Sequence, residues 1–159
     1  MSSYPPFDKT HIIIDNYRNS QKVEFIPDKF RSLYSSFNTW LNLVTNKDTD
    51  RDKLEFFKEN KEAKNAYFNA LNNKDFLLKI SPLMFYQVLD ARLHPKPPIY
   101  VDTLWDFSKI VDVIYRVRCN LVHGGKSTSY KEDYQLIELS YYILEAIFVP
   151  LISDIINKS

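Results

Sequence analysis

A chain of 159 residues that contains two glycines, and sets them side by side, concentrates its freest backbone at one point. That point is Gly124-Gly125, directly after His123. Upstream, Leu104, Phe107, Ile110, Val111, Ile114, Val117 and Leu121 recur at spacings of three and four, one apolar stripe on a helix. Asp102 is placed to cap the start of that helix, and the glycines stop it. The segment Ile114-Tyr-Arg-Val-Arg-Cys-Asn-Leu-Val-His-Gly-Gly-Lys126 therefore puts arginine, amide and imidazole groups at a helix end beside backbone that can take φ > 0.

The same period recurs along the chain. Pro27 fits a first helical turn, and Phe30, Leu33, Tyr34, Phe37, Trp40, Leu41 and Val44 follow as a stripe. Thr49 or Asp50 is a cap for a helix through Leu54, Phe56 and Phe57, and another runs through Ala63, Tyr67 and Leu71 to the Asn72-Asn73 pair. A further helix is expected from Phe76 to Leu89, interrupted at Ser81-Pro82. His94-Pro-Lys-Pro-Pro98 is an extended break. The last helix is expected from about Asp133 to the C-terminus. It carries two stripes, Leu136, Leu139, Ile143, Ile147, Leu151 and Ile155 beside Ile137, Leu144, Phe148, Ile152 and Ile156. A helix apolar over so wide an arc needs two things to pack against, its own core and a surface such as a second copy. Residues 1–26 read as an extended arm, with His11–Ile14 and Val23–Ile26 as short strands or apolar straps. The expectation is an all-α chain: arm 1–26, then a single irregular helical bundle over 27–159.

Composition narrows the function classes. With 45% hydrophobic and 15% aromatic residues the chain has the means to build a core, so intrinsic disorder is excluded. A net charge of +1 excludes a polycation but leaves room for a local basic patch. The lone Cys119 excludes an internal disulfide and suits a reducing cytoplasm, and Met1–Lys9 lacks the form of a signal peptide. No apolar run is long enough to span a membrane.

Three lookalike sites fail on their own requirements. Asp48, Asp50, Asp52 and Glu59 match acidic positions of a calcium loop, but the turn position that needs glycine holds Lys53, within a segment that reads as helix. Gly124-Gly-Lys-Ser-Thr128 imitates a phosphate loop, but a helix precedes it and presents carbonyl oxygens rather than amides. Cys119 and His123 lie four apart on adjacent turns, but no second cysteine and no further histidine nearby completes a metal site or an activated thiol, and Cys119 reads as a packing residue. No metal or cofactor is expected. What remains is Arg116, Asn120 and His123 at i, i+4 and i+7, with Arg118 elsewhere on the helix. No acid occurs from Val113 to Lys131, so Arg116, Arg118, Lys126 and Lys131 form a positive patch suited to a phosphodiester. The alternative is that these cations complement the negative end of the helix dipole and nothing more.

Arg118-Cys-Asn-Leu-Val-His123, an arginine, four residues and a histidine, resembles the signature of the HEPN superfamily. The longer run Arg-Cys-Asn-Leu-Val-His-Gly-Gly-Lys is similar to a variant in small bacterial and phage-defence proteins of that kind. Its place at the end of the penultimate helix, with an early Leu33–Trp40 helix and a long last helix, agrees. The chain departs from the pattern at Cys119, where many active members carry a polar residue, so that role passes to Asn120. The resemblance implies an all-α HEPN-like homodimer whose two motifs form one composite site, joined through the C-terminal helices and motif region. Active members are metal-independent endoribonucleases, often toxins of toxin–antitoxin or antiviral systems, so an antitoxin or defence partner is implied. Inactive members are modules that bind RNA, a nucleotide or a protein.

RNA cleavage without a metal needs a base for the 2′-OH, an acid for the 5′-oxygen and positive charge on the transition state. One chain supplies one candidate, His123; two-fold symmetry would supply its counterpart. The helix end favours the imidazolium, and Arg118 and Lys126 oppose it. On this scheme Arg118, Asn120 and His123 are catalytic, and Arg116 and Lys126 hold adjacent phosphates.

Overall fold

The computed structural model describes residues 8–123 and 131–158, without the side chains of His123 and residues 131–133. Among these residues it is all-α apart from one two-stranded sheet. The first helix, α1 (Lys9–Lys22), occupies the segment expected to be an extended arm with short strands. Two local features account for the difference. Asp8 accepts a hydrogen bond from the Thr10 amide at 2.9 Å, satisfying one of the orphan donors of the first turn. Ile13 and Ile14 are buried because α1 lies along α2 (Ile26–Val44). The two run antiparallel: Lys9 Nζ donates to the Asn42 carbonyl, Ser36 Oγ to the Ile13 carbonyl at 2.7 Å, and Asn19 Nδ2 to Ser32 Oγ. Ile13 belongs to the same continuous core as the later helices, so this segment is part of the helical body.

In α2 the expected stripe is buried from Phe30 to Leu41, with Pro27 in the first turn. Helix α3 (Asp50–Lys58) is capped by Thr49, whose hydroxyl accepts from the Asp52 amide at 3.1 Å. The calcium-loop lookalike is therefore helix, as its sequence suggests. Helix α4 (Lys61–Leu71) ends at the Asn72-Asn73 pair, and Asn73 in turn caps α5 (Lys74–Ile80). Here the expectation of a helix to Leu89 is corrected. The α-helical ladder stops at Ile80, a 3-10 turn covers Ser81–Phe85, and β1 (Gln87–Val88) pairs antiparallel with β2 (Ile99–Tyr100). Pro82 lacks the amide proton that would extend the helix.

Helix α6 (Phe107–His123) starts later than expected. Its cap is Asp106, which accepts from the Lys109 amide at 3.1 Å, while Asp102 is 89% exposed and only touches Lys109 at 3.9 Å. The turn between them is held by Tyr67, whose buried hydroxyl donates to the Leu104 carbonyl at 2.6 Å. Helix α7 (Lys131–Leu151) carries Pro150 in its last turn, and the chain breaks there before α8 (Ser153–Asn157). Both stripes of α7 are buried, Leu136, Leu139, Ile143 and Ile147 together with Ile137, Leu144 and Phe148. They pack against α2, α4 and α6 of the same chain. The double stripe thus gives no reason to place a second copy against this helix. None of the described helices is long and apolar enough to cross a membrane.

Phe37 is the hub where these elements meet. Its ring lies 4.8 Å from Phe57 of α3 and 5.6 Å from Phe148 of α7, edge to face in both cases. Phe57 continues the contact to Phe107 of α6 at 5.9 Å. Truncation of Phe37 to alanine is expected to cost about 3–5 kcal/mol, read as a lowered urea midpoint at an unchanged slope. Truncating the exposed Phe85 is expected to cost less than about 0.5 kcal/mol.

Candidate functional site

Helix α6 positions the motif, and it does so with two different faces. Arg116 and Asn120, one turn apart, face the segment 89–98 that closes the β1–β2 hairpin. Three prolines in that segment have no amide to donate, and a ten-residue excursion without secondary structure leaves carbonyls needing partners. Arg116 Nη1 donates to the Pro97 carbonyl at 2.6 Å and to the Val88 carbonyl at 3.3 Å. Asn120 uses both ends of its amide: Nδ2 donates to the Leu89 carbonyl at 2.8 Å, and Oδ1 accepts from the Ala91 amide at 2.9 Å.

The loop is also locked from within. Asp90, with 1% of its side chain exposed, accepts from Arg92 Nε at 2.8 Å and Nη2 at 2.7 Å. It also accepts from the backbone amides of Arg92 and Lys96. The Arg92 guanidinium beside it, helped by those amides, holds the Asp90 carboxyl well below the usual carboxylate range. Nearby, Cys119 is buried against Tyr115, whose hydroxyl donates to Asp50 Oδ2 at 3.1 Å. Burial pushes the Tyr115 phenol above its ordinary value, with Cys119 adding to the rise.

Arg118 points elsewhere. It lies two residues before Asn120, about 160° round the helix, and its guanidinium sits 5.5 Å from the centre of the Tyr34 ring on α2. Among the described residues no carboxylate is bonded to it, in contrast to Arg92 with Asp90 and Arg31 with Asp28. Burial raises the Tyr34 phenol, and the charge of Arg118 acts in the opposite sense. The two residues share a cavity of about 190 Å³ between α2 and α6, also lined by Arg31, Ser35 and Asn38. His123 is the final residue of α6. Gly124, Gly125 and Lys126, together with the phosphate-loop lookalike, lie outside the described residues.

The predicted set is thus divided. Arg116 and Asn120 hold a loop, Arg118 lines a cavity on another face, and His123 ends the helix that carries all three. The contributors from α2 were not anticipated, although Arg31, Ser35 and Asn38 repeat the i, i+4, i+7 spacing noticed on α6. The Asp90–Arg92 pair was missed as well; its signal is an aspartate two residues before a cation, next to a proline run. Among the described residues no group of His, Cys, Asp or Glu is placed to hold a metal ion. No family model matches the chain, and neither a curated protein nor a solved structure matches it.

Two outcomes follow from the loop. Asn120→Ala leaves the Leu89 carbonyl and the Ala91 amide without partners, so stability should fall by about 1–3 kcal/mol, with faster hydrogen exchange at Ala91. For Asp90 the folded-state carboxyl titrates below its unfolded value of about 4. Its contribution is therefore complete above that pH and is lost as pH falls toward the folded value. Wild type should lose urea resistance between neutral and strongly acidic pH, whereas Asp90→Asn should start lower and lose less.

Proposed function

We propose that this chain is a HEPN-like, metal-independent endoribonuclease of toxin or antiviral-defence type, acting in the cytoplasm as a homodimer. His123 is its general acid or base, and Arg118 stabilises the anionic transition state. The observation that supports this reading is Arg118 itself, a guanidinium resting on an aromatic ring at a cavity, without a bonded carboxylate among the described residues. It stands five residues before His123, about 7.5 Å along one helix. In the reaction one His123 takes the proton from the 2′-OH, whose oxygen attacks the phosphorus. The P–O5′ bond breaks, and the His123 of the second copy gives its proton to the leaving oxygen. The products are a 2′,3′-cyclic phosphate and a 5′-hydroxyl. Arg116 and Asn120 act as positioning residues, through the loop that they hold. With the stripes of α7 buried in the chain's own core, the second copy docks on another surface, and an antitoxin or defence-system partner restrains the activity.

Purified protein is expected to cut single-stranded RNA in EDTA, leaving cyclic phosphate ends. His123→Ala should abolish cutting without changing the melting temperature, and Arg118→Ala should lower kcat about 10²–10³-fold. Full activity in His123→Ala would refute the reading.

A second reading has its own observation. Both atoms of the Asn120 amide are committed to loop backbone, which suits a module that binds RNA, a nucleotide or a protein without cleaving. It predicts binding without strand scission in wild type, weakened by Arg118→Ala and unaffected by His123→Ala.

A further inference from the structure

We infer that the cavity between α2 and α6 is a binding subsite for one phosphate group of a single-stranded RNA. This inference rests on the reading that the chain engages RNA, and does not require that it cleave it. The volume, about 190 Å³, falls below that of cavities enclosing a whole drug-sized ligand and suits a single small group. Its polar wall comes from both helices: Arg31, Ser35 and Asn38 of α2 face Arg118 of α6, and among the described residues no carboxylate lines it.

The geometry of each arginine leaves donors available. A guanidinium stacked over a ring uses its flat face, while its N–H groups radiate from its edges. Arg118 can therefore hold an anion at its edge and keep Tyr34 beneath it. Arg31 gives one Nη1 bond to Asp28 at 2.9 Å, and both side chains are about half exposed, 47% and 53%. An exposed pair of this kind contributes little to folding and yields readily to a stronger anion. Ser35 supplies a hydroxyl and Asn38 an amide, neither bonded through its side chain among the described residues. Two cations, a hydroxyl and an amide converging on a space of this size match the oxygens of a phosphodiester. Leu121 and Val122 form an apolar border beside them, against which a sugar edge can lie.

The test is fluorescence anisotropy of a labelled single-stranded RNA with the full-length His123→Ala protein, at low and raised sodium chloride. Arg31→Gln in that background is expected to weaken binding about tenfold and to make the log–log salt slope shallower by about 0.7. Arg31→Lys should restore most of the slope and part of the affinity. Unchanged affinity and slope in Arg31→Gln, with an unaltered circular dichroism spectrum, overturn the subsite. A second arm titrates inorganic phosphate alone by calorimetry. If Arg31→Gln abolishes phosphate heat while RNA affinity stays the same, the cavity takes a free anion and the RNA assignment falls. The nuclease reading is decided separately: should His123→Ala still cut RNA, that reading fails, and the dependence on Arg31 in the same samples still decides the cavity.

Discussion

A helix that is apolar over most of its circumference cannot rest on a surface; it has to be surrounded. Helix α7 imposes that constraint on the rest of the chain. Its two stripes meet α2, α4 and α6, and aromatic contacts from Phe148 through Phe37, Phe57 of α3 and Phe107 to Tyr67 of α4 tie those helices to one another. Burying one large side chain is worth about 1.5–3 kcal/mol, so the arrangement of α7 outweighs the local preferences of the shorter segments packed around it. The fold is a wrapping problem solved within one chain.

Within that wrapping α6 has two tasks. Its apolar stripe fills the core, and what remains of its surface is shared between a loop and a cavity. The Arg116–Asn120 edge supplies donors to carbonyls that a proline-rich loop cannot satisfy by itself. The Arg118 edge keeps its charge unpaired by carboxylate among the described residues, and supported by a ring. Polar residues that look equivalent in a motif therefore answer different physical demands, one set by backbone hydrogen bonding and the other by electrostatics.

Much of the fold was legible because periodicity reports burial. The stripes of α2, α6 and α7 appear in the sequence and are buried in the structure, and Thr49 was recognisable as a cap. The failures have a common cause. The α1 segment has few apolar residues, so Ile13 and Ile14 read as a strand until the α2 surface that covers them is known. Asp102 and Asp106 are equally good caps by residue type, and the choice between them follows from the Tyr67–Leu104 contact, a relation across 37 residues. The site was less legible still. Spacing on α6 put Arg116 and Asn120 on one face, as the structure has them, yet nothing local says that this face meets a loop, or that Arg118 meets α2.

The α1–α2 pairing reaches further than its position suggests. Ser32 and Ser36 are fastened to α1, and Ser35 lies about 100° round the same cylinder from Ser36. The first helix therefore sets the roll of α2 about its own axis, and with it the direction in which Arg31, Ser35 and Asn38 project. A segment that contributes none of the cavity's lining acts as its azimuthal stop, so that shortening the chain from that end is expected to turn those groups away from α6 without altering any of them.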